Sequence, residues 1–213
     1  MKKALFFDVT LPMTSELIVY PGDPKIKIKK INTIEKHGFC LQQMTLHNHM
    51  GTHIDFPGHV FKHGKTSEDY PLFYFCGKGI VIEVPAHMKS ITKAFITSFS
   101  KQIMKNDIVL FKTSNSALYR RKKPSKQYVY FEKDAAEALA KKHPKMIGID
   151  YLSPDRYGDT ALPIHQIFLS QNILILEGLF LRDVPEGRYR EVLAIPVCMP
   201  CMDGLPASVF LRP

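Results

Sequence analysis

Residues 47–59 read HNHMGTHIDFPGH, which places four histidines and one aspartate within thirteen positions. Imidazole nitrogen and carboxylate oxygen are the usual ligands of zinc and similar divalent ions. His49, His53, Asp55 and His59 form the pattern H-x-x-x-H-x-D-x-x-x-H. Five of the nine histidines (47, 49, 53, 59 and 63) fall within seventeen positions, a density that points to metal binding rather than scatter. Gly51 and Pro57 interrupt a regular helix here, and a strand end curling into a short turn would also converge the side chains. On spacing alone, a metal loop and a polar, hydrogen-bonded loop both remain open. His47 would share a strand face with His49 and stand beside the ligands. His63 reads as an exposed loop residue. Thr52 would either orient the loop through its hydroxyl or merely stabilise the turn.

The elements that must position these residues are those of an α/β chain. Leu5–Leu11 is expected as a first strand, and YPGDP at Tyr20–Pro24 is a turn. Lys25–Ile31 alternates lysine and isoleucine with period two, which predicts a half-buried strand. Phe39–Leu46 is a strand feeding straight into the histidine stretch. Gly79–Val84, Asp107–Lys112, Met146–Ile149, Ile173–Leu176 and Tyr189–Val197 are further strands. Helices are expected over Ile91–Phe99, over Lys133–Lys142, and from Pro163, which suits a first helical turn, to Leu169. The resulting fold class is α/β: a single layered domain, residues 1–213, with a mixed, partly barrel-like central sheet and a few flanking helices.

Composition narrows the function classes. The chain has 213 residues, 45% hydrophobic and 23% charged, ordinary for a globular protein able to bury a core without disulfides. Net charge is +9, but the basic residues are scattered. The two dense patches, Lys25–Lys30 and Arg120–Lys126, read as the wet face of a strand and an exposed loop. No recognised motif supports nucleic-acid binding. No apolar run is long enough to span a membrane. The apolar run in MKKALFFDVTLPM is too short for a secretory signal, so a cytoplasmic location with reduced thiols is expected. Cys198 and Cys201 form a lone C-x-x-C pair, read as a loop feature without a role.

HMGTHIDFPGH resembles the H-x-G-T-H-x-D-x-P-x-H signature of the cyclase family, which includes bacterial kynurenine formamidase and isatin hydrolase. The resemblance extends to YPGDP, to GKTSEDYPL at Gly64–Leu72, to IGIDYLSPD at Ile147–Asp155, and to LPIHQIFLSQNILILEGL at Leu162–Leu179. It implies a swivelling β/β/α fold. It also implies two distal ligands, His165 and Glu177, which otherwise read as a helix-start histidine and an acid at a strand end. By this resemblance His49, His53, Asp55 and Glu177 would hold one divalent ion. Asp55, His165 and Glu177 would hold a second, with both carboxylates bridging. Zinc is the ion expected first, as one or two ions; some relatives use a single manganese. His59 would donate and accept the proton, and Tyr20 would contact substrate where the formamidase has tryptophan. A homodimer or homotetramer is implied.

The leading expectation is therefore a metal-dependent hydrolase of a C–N bond in a small aryl formamide or cyclic amide. The alternatives are an isatin-hydrolase-like lactam hydrolase and a non-catalytic metal- or ligand-binding protein on the same scaffold. The partner expected is a small-molecule substrate, with no nucleic acid and no membrane.

Overall fold

The computed structural model describes residues 6–121 and 123–213. In chain order the strands are β1 (Phe7–Asp8), β2 (Lys27–Asn32), β3 (Leu41–Thr45), β4 (His53–Asp55), β5 (Cys76–Glu83), β6 (Ser90–Ile91), β7 (Ile108–Lys112), β8 (Tyr130–Phe131), β9 (Met146–Ile149), β10 (Leu174–Glu177), β11 (Gly187–Pro196) and β12 (Gly204–Arg212). The α-helices are α1 (Ile34–His37), α2 (Lys93–Ser98), α3 (Lys133–Ala140) and α4 (Pro163–Leu169).

The main sheet runs β1-β12-β11-β5-β7-β9-β10-β4, and β4 pairs back onto β12, so seven of its strands close a barrel. Strands β5, β7, β9 and β10 are mutually parallel; the remaining pairings are antiparallel. The parallel strands are apolar on both faces, as strands covered on both sides must be. Val81, Leu110 and Leu176 point into the barrel with Val192, Val209 and Leu211. Ile80, Val109, Phe111, Ile147 and Ile175 point outward, against Leu139 and Ala140 of α3 and Ile164 and Phe168 of α4.

Two expectations are corrected and one strand was missed. The first strand is short: Leu5 lies outside the described residues, β1 is Phe7–Asp8, and Thr10 makes only an isolated bridge to Leu179. At Thr10 side chains take over the ladder, its N–H donating to Asp8 Oδ1 and its hydroxyl to the Val209 carbonyl. The lysine–isoleucine strand is not half-buried. β2 pairs only with β3 in a separate two-stranded sheet, so neither face meets the barrel and Ile28 and Met44 stay exposed. The last strand, β12, went unanticipated although it closes the barrel.

Candidate metal centre

The histidine stretch crosses the barrel wall as β4, between β10 and β12. The ladder sets His53 opposite Glu177 and Asp55 opposite Ile175. Cross-strand neighbours lie within about 5.5 Å and residues two apart share a face. His53, Asp55 and Glu177 therefore project together, on the outer side where Ile175 meets the helices. Helix α4 covers that side and delivers His165 from its first turn. All four are buried, with Asp55 at 0% exposure.

Two histidines are held by one ring nitrogen and aim the other inward. His53 Nδ1 lies 3.0 Å from the Gly51 carbonyl, so it is the donor and Nε2 is free. His165 Nδ1 lies 2.5 Å from Asp155 Oδ2. The Asp155 carboxylate also accepts the N–H groups of Ile164 and His165, capping α4 as it orients the ring. The free Nε2 of His53 stands 3.3 Å from Asp55 and 3.4 Å from Glu177. That of His165 stands 3.4 Å from Asp55 Oδ2 and 3.1 Å from Glu177 Oε1. These approaches are close but misaligned for hydrogen bonds: Asp55 Oδ2 and Glu177 Oε1 are buried with no hydrogen-bond partner. Buried carboxylate oxygens are normally satisfied. Orphaned oxygens facing free imidazole nitrogens are the arrangement of ligands converging on one cation. The residues fit a divalent metal, and the nitrogen and oxygen donor set suits zinc and its neighbours.

The electrostatics agree. Burial works against charge on His165, yet the hydrogen bond to Asp155 and the neighbouring Asp55 and Glu177 carboxylates hold it well above its ordinary value. His53 is raised as well: burial is outweighed by Asp55 and Glu177. Glu177 is pushed up by burial and by the Asp55 charge. For Asp55, burial is overcome by His53, His165 and His49, and its carboxyl sits well below the usual range. Two buried acids side by side demand positive charge, which protons or a cation can supply.

His49 and His59 form the solvent side. His49 bridges two acids, with Nδ1 2.7 Å from Asp55 Oδ1 and Nε2 3.1 Å from Asp203 Oδ2. Burial opposes its charge, and these acids hold it up at about 9. His59 packs against His49 at 4.0 Å between ring centroids. Burial first, then His49 and His165, pull its pKa below the ordinary value, against Asp55 and Asp203. His59 shares a ligand-competent group with His49 and Asp55, distinct from the group of His53, Asp55 and Glu177. The structure thus brings all six predicted residues at the centre together.

The outlying residues divide. Thr52 ties the loop to the fold: its hydroxyl donates to the Gly178 carbonyl and accepts from Leu11 N–H. Gly178 (φ 68°) permits this crossing, since a Cβ there would lie 1.9 Å from the Gly51 oxygen. His63 is exposed. His47 leaves Nε2 buried without a partner but has no hydrogen bond to the central acids. Cys198 and Cys201 are exposed and free. Tyr20 lines a cavity of about 350 Å³ that opens from the centre past Leu152 and Leu162, and its ring lies 5.7 Å from that of Tyr157. Sequence reading missed Asp155 and Asp203. A carboxylate ten residues before the His165 helix was the available signal for Asp155. For Asp203 there was none, because β12 had not been recognised.

The family model described as "Putative cyclase" matches residues 7–156. The chain belongs to this cyclase family. A kynurenine formamidase of Salinibacter ruber (strain DSM 13855 / M31) is 32% identical over 96% of both chains. A solved structure described as a potential metal-dependent hydrolase with cyclase activity is 34% identical, with a TM-score of 0.83 over 97% of this chain and 96% of that one. The isatin hydrolase A of Labrenzia aggregata, 18% identical, superposes with a TM-score of 0.84 over 97% and 92% of the two chains; at that identity it shows the cyclase fold alone. His165, Glu177 and Asp203 lie beyond the span the family model matches. The fold nonetheless returns them to the motif, His165 through α4, Glu177 through β10 and Asp203 immediately before β12.

Proposed function

We propose that the protein is a metal-dependent amidohydrolase that cleaves the C–N bond of a small aryl formamide, as its relative named kynurenine formamidase does by name. The observation that carries the reading is the pair of orphaned buried oxygens on Asp55 and Glu177, facing the free Nε2 atoms of His53 and His165. His49, His53, Asp55 and Glu177 hold one divalent ion, and Asp55, His165 and Glu177 a second when two are bound. Zinc is the proposed ion and manganese the alternative. When bound, such an ion lowers the pKa of water towards neutrality and polarises a carbonyl.

The chain's own residues do the rest. Neutral His59 takes a proton from the attacking water as its oxygen adds to the formyl carbon. It then returns that proton to the leaving nitrogen, so the amine departs uncharged. Asp203, 3.5 Å from His59 Nδ1, orients the ring. Tyr20 and Leu162 wall a cavity sized for one ring compound, with Tyr20 stacking on it. The enzyme works as one domain over residues 1–213, as a cytoplasmic homodimer or homotetramer, on a small molecule rather than on nucleic acid or membrane. Among the described residues no helix is long and apolar enough to cross a membrane.

A substrate panel on zinc- and manganese-loaded protein tests this, with N-formylkynurenine, isatin and simple cyclic amides. Turnover greatest on the formamide is the expected result. Preference for isatin would reassign the substrate to a lactam, and no turnover on any of them with metal bound would sink the enzyme reading.

A further inference from the structure

A second cavity, of about 650 Å³, lies on the far side of the segment that holds His165. Its wall carries four cations, Lys89, Arg121, Lys126 and Arg156, and no aspartate or glutamate. Four basic groups elsewhere stand in ion pairs, Lys112 with Glu83, Arg182 with Asp183, Arg188 with Asp107 and Arg212 with Glu191, while most other described lysines and arginines are solvated singly. Among the described residues, none of the four cavity cations has such an ion pair. Self-repelling charges gathered in a concave wall raise the local concentration of anions, and guanidinium groups match the geometry of phosphate and carboxylate. The wall is also aromatic. Tyr128, Tyr130 and Tyr157 line it, and Lys126 Nζ sits 5.2 Å above the Tyr157 ring.

We propose that this cavity binds a small oxyanion carried on a planar ring, such as a mononucleotide, at a site separate from the metal centre. The anionic group sits among Lys89, Arg121 and Arg156, and the ring lies against the tyrosines. The size is that of an ordinary small-molecule site. A ligand there would touch the outer side of the segment whose inner side serves the metal centre. Tyr128 donates its hydroxyl to the Asp155 carbonyl at 2.9 Å, Arg156 and Tyr157 follow directly, and Asp155 orients His165. Tyr157 and Tyr20 form the partition between the two cavities.

Calorimetric titration of the metal-loaded protein at low salt tests the site, with adenosine monophosphate, inorganic pyrophosphate and uncharged adenosine as probes. Adenosine monophosphate should bind more tightly than pyrophosphate, which lacks the ring, and adenosine should not bind. Affinity should fall as salt rises. The Lys89→Gln/Arg121→Gln double variant, checked for folding by circular dichroism, should bind adenosine monophosphate at least about tenfold more weakly. A phosphate that lands on the metal instead would bind the double variant as well as the parent, and that result overturns the proposal. So does the absence of binding at millimolar probe. Should the double variant fail to fold, amide shift mapping on the parent decides between residues 125–130 and the histidine cluster.

Discussion

His165 owes its place at the centre to Asp155, whose carboxylate lies 2.5 Å from its Nδ1 while also capping the helix that carries it. One acid fixes the position of the histidine, its tautomer and the direction of its free nitrogen. Carboxylates that orient a metal-bound histidine typically affect affinity by about 10- to 100-fold. Asp155→Asn keeps an acceptor for the Ile164 N–H but loses the charge. It should fold and bind metal more weakly by that factor, read by competition with a chelator. Unchanged affinity would show that His165 is not a ligand.

Asp55 and Glu177 differ from the histidines because they bring buried negative charge to the centre. Asp55→Ala should abolish stoichiometric metal, measured by elemental analysis after gel filtration, since both groups of converging ligands contain it. Glu177→Gln should lower metal content without abolishing it, leaving His49 and Asp55 in place.

His59 tests the division of labour within the motif. It lies close enough to His49 and Asp55 to be a ligand, yet its depressed pKa and partial exposure suit proton transfer. His59→Ala should retain bound metal and lose turnover by about 100-fold or more. Loss of the metal together with activity would make His59 a ligand.

Gly204 explains how His49 fits. A Cβ at this position would lie 2.3–2.7 Å from three atoms of the His49 ring. Gly204→Ala should displace that ring and cut kcat, with only a modest fall in melting temperature because the imidazole can swing towards solvent. A variant with full activity would show that the His49 position is not critical.

Asp150 gives a pH signature independent of the metal. It accepts four hydrogen bonds from Thr113 and Ser116, but burial outweighs them and lifts its pKa from 3.8 to about 6. The folded protein thus binds this proton more tightly than the unfolded chain does. Its contribution is most favourable below the unfolded value and is lost as pH rises through the folded one. Relative to metal-free Asp150→Asn, the metal-free parent should lose stability across that window, by up to about 3 kcal/mol. A difference in unfolding free energy that stays flat across the window would contradict this.

How legible the centre was in the sequence depended on distance along the chain. His49, His53, Asp55 and His59 are crowded enough to point to a cation, although on spacing alone a polar loop stayed open. His165 and Glu177 are not, because their convergence depends on the β10–β4 ladder and on α4 packing over it, and only family resemblance supplied them. Asp155 and Asp203 lay hidden for the same reason, each acting through a histidine held elsewhere. The parallel strands were readable because they are apolar on both faces. The hairpin of β2 and β3 misled because period-two alternation records a strand, not what covers it. The basic run ending at Lys126 reads as an exposed loop, and Arg121, Lys123 and Lys126 are exposed; that Lys89 and Arg156 join it was not legible, because they come from other parts of the chain.

The most direct test of the central claim is hydrolysis of N-formylkynurenine before and after metal is stripped with a chelator and restored. Activity should vanish with the metal and return on adding zinc or manganese, in step with the metal bound. A stripped protein that hydrolyses the formamide at the original rate would contradict the account.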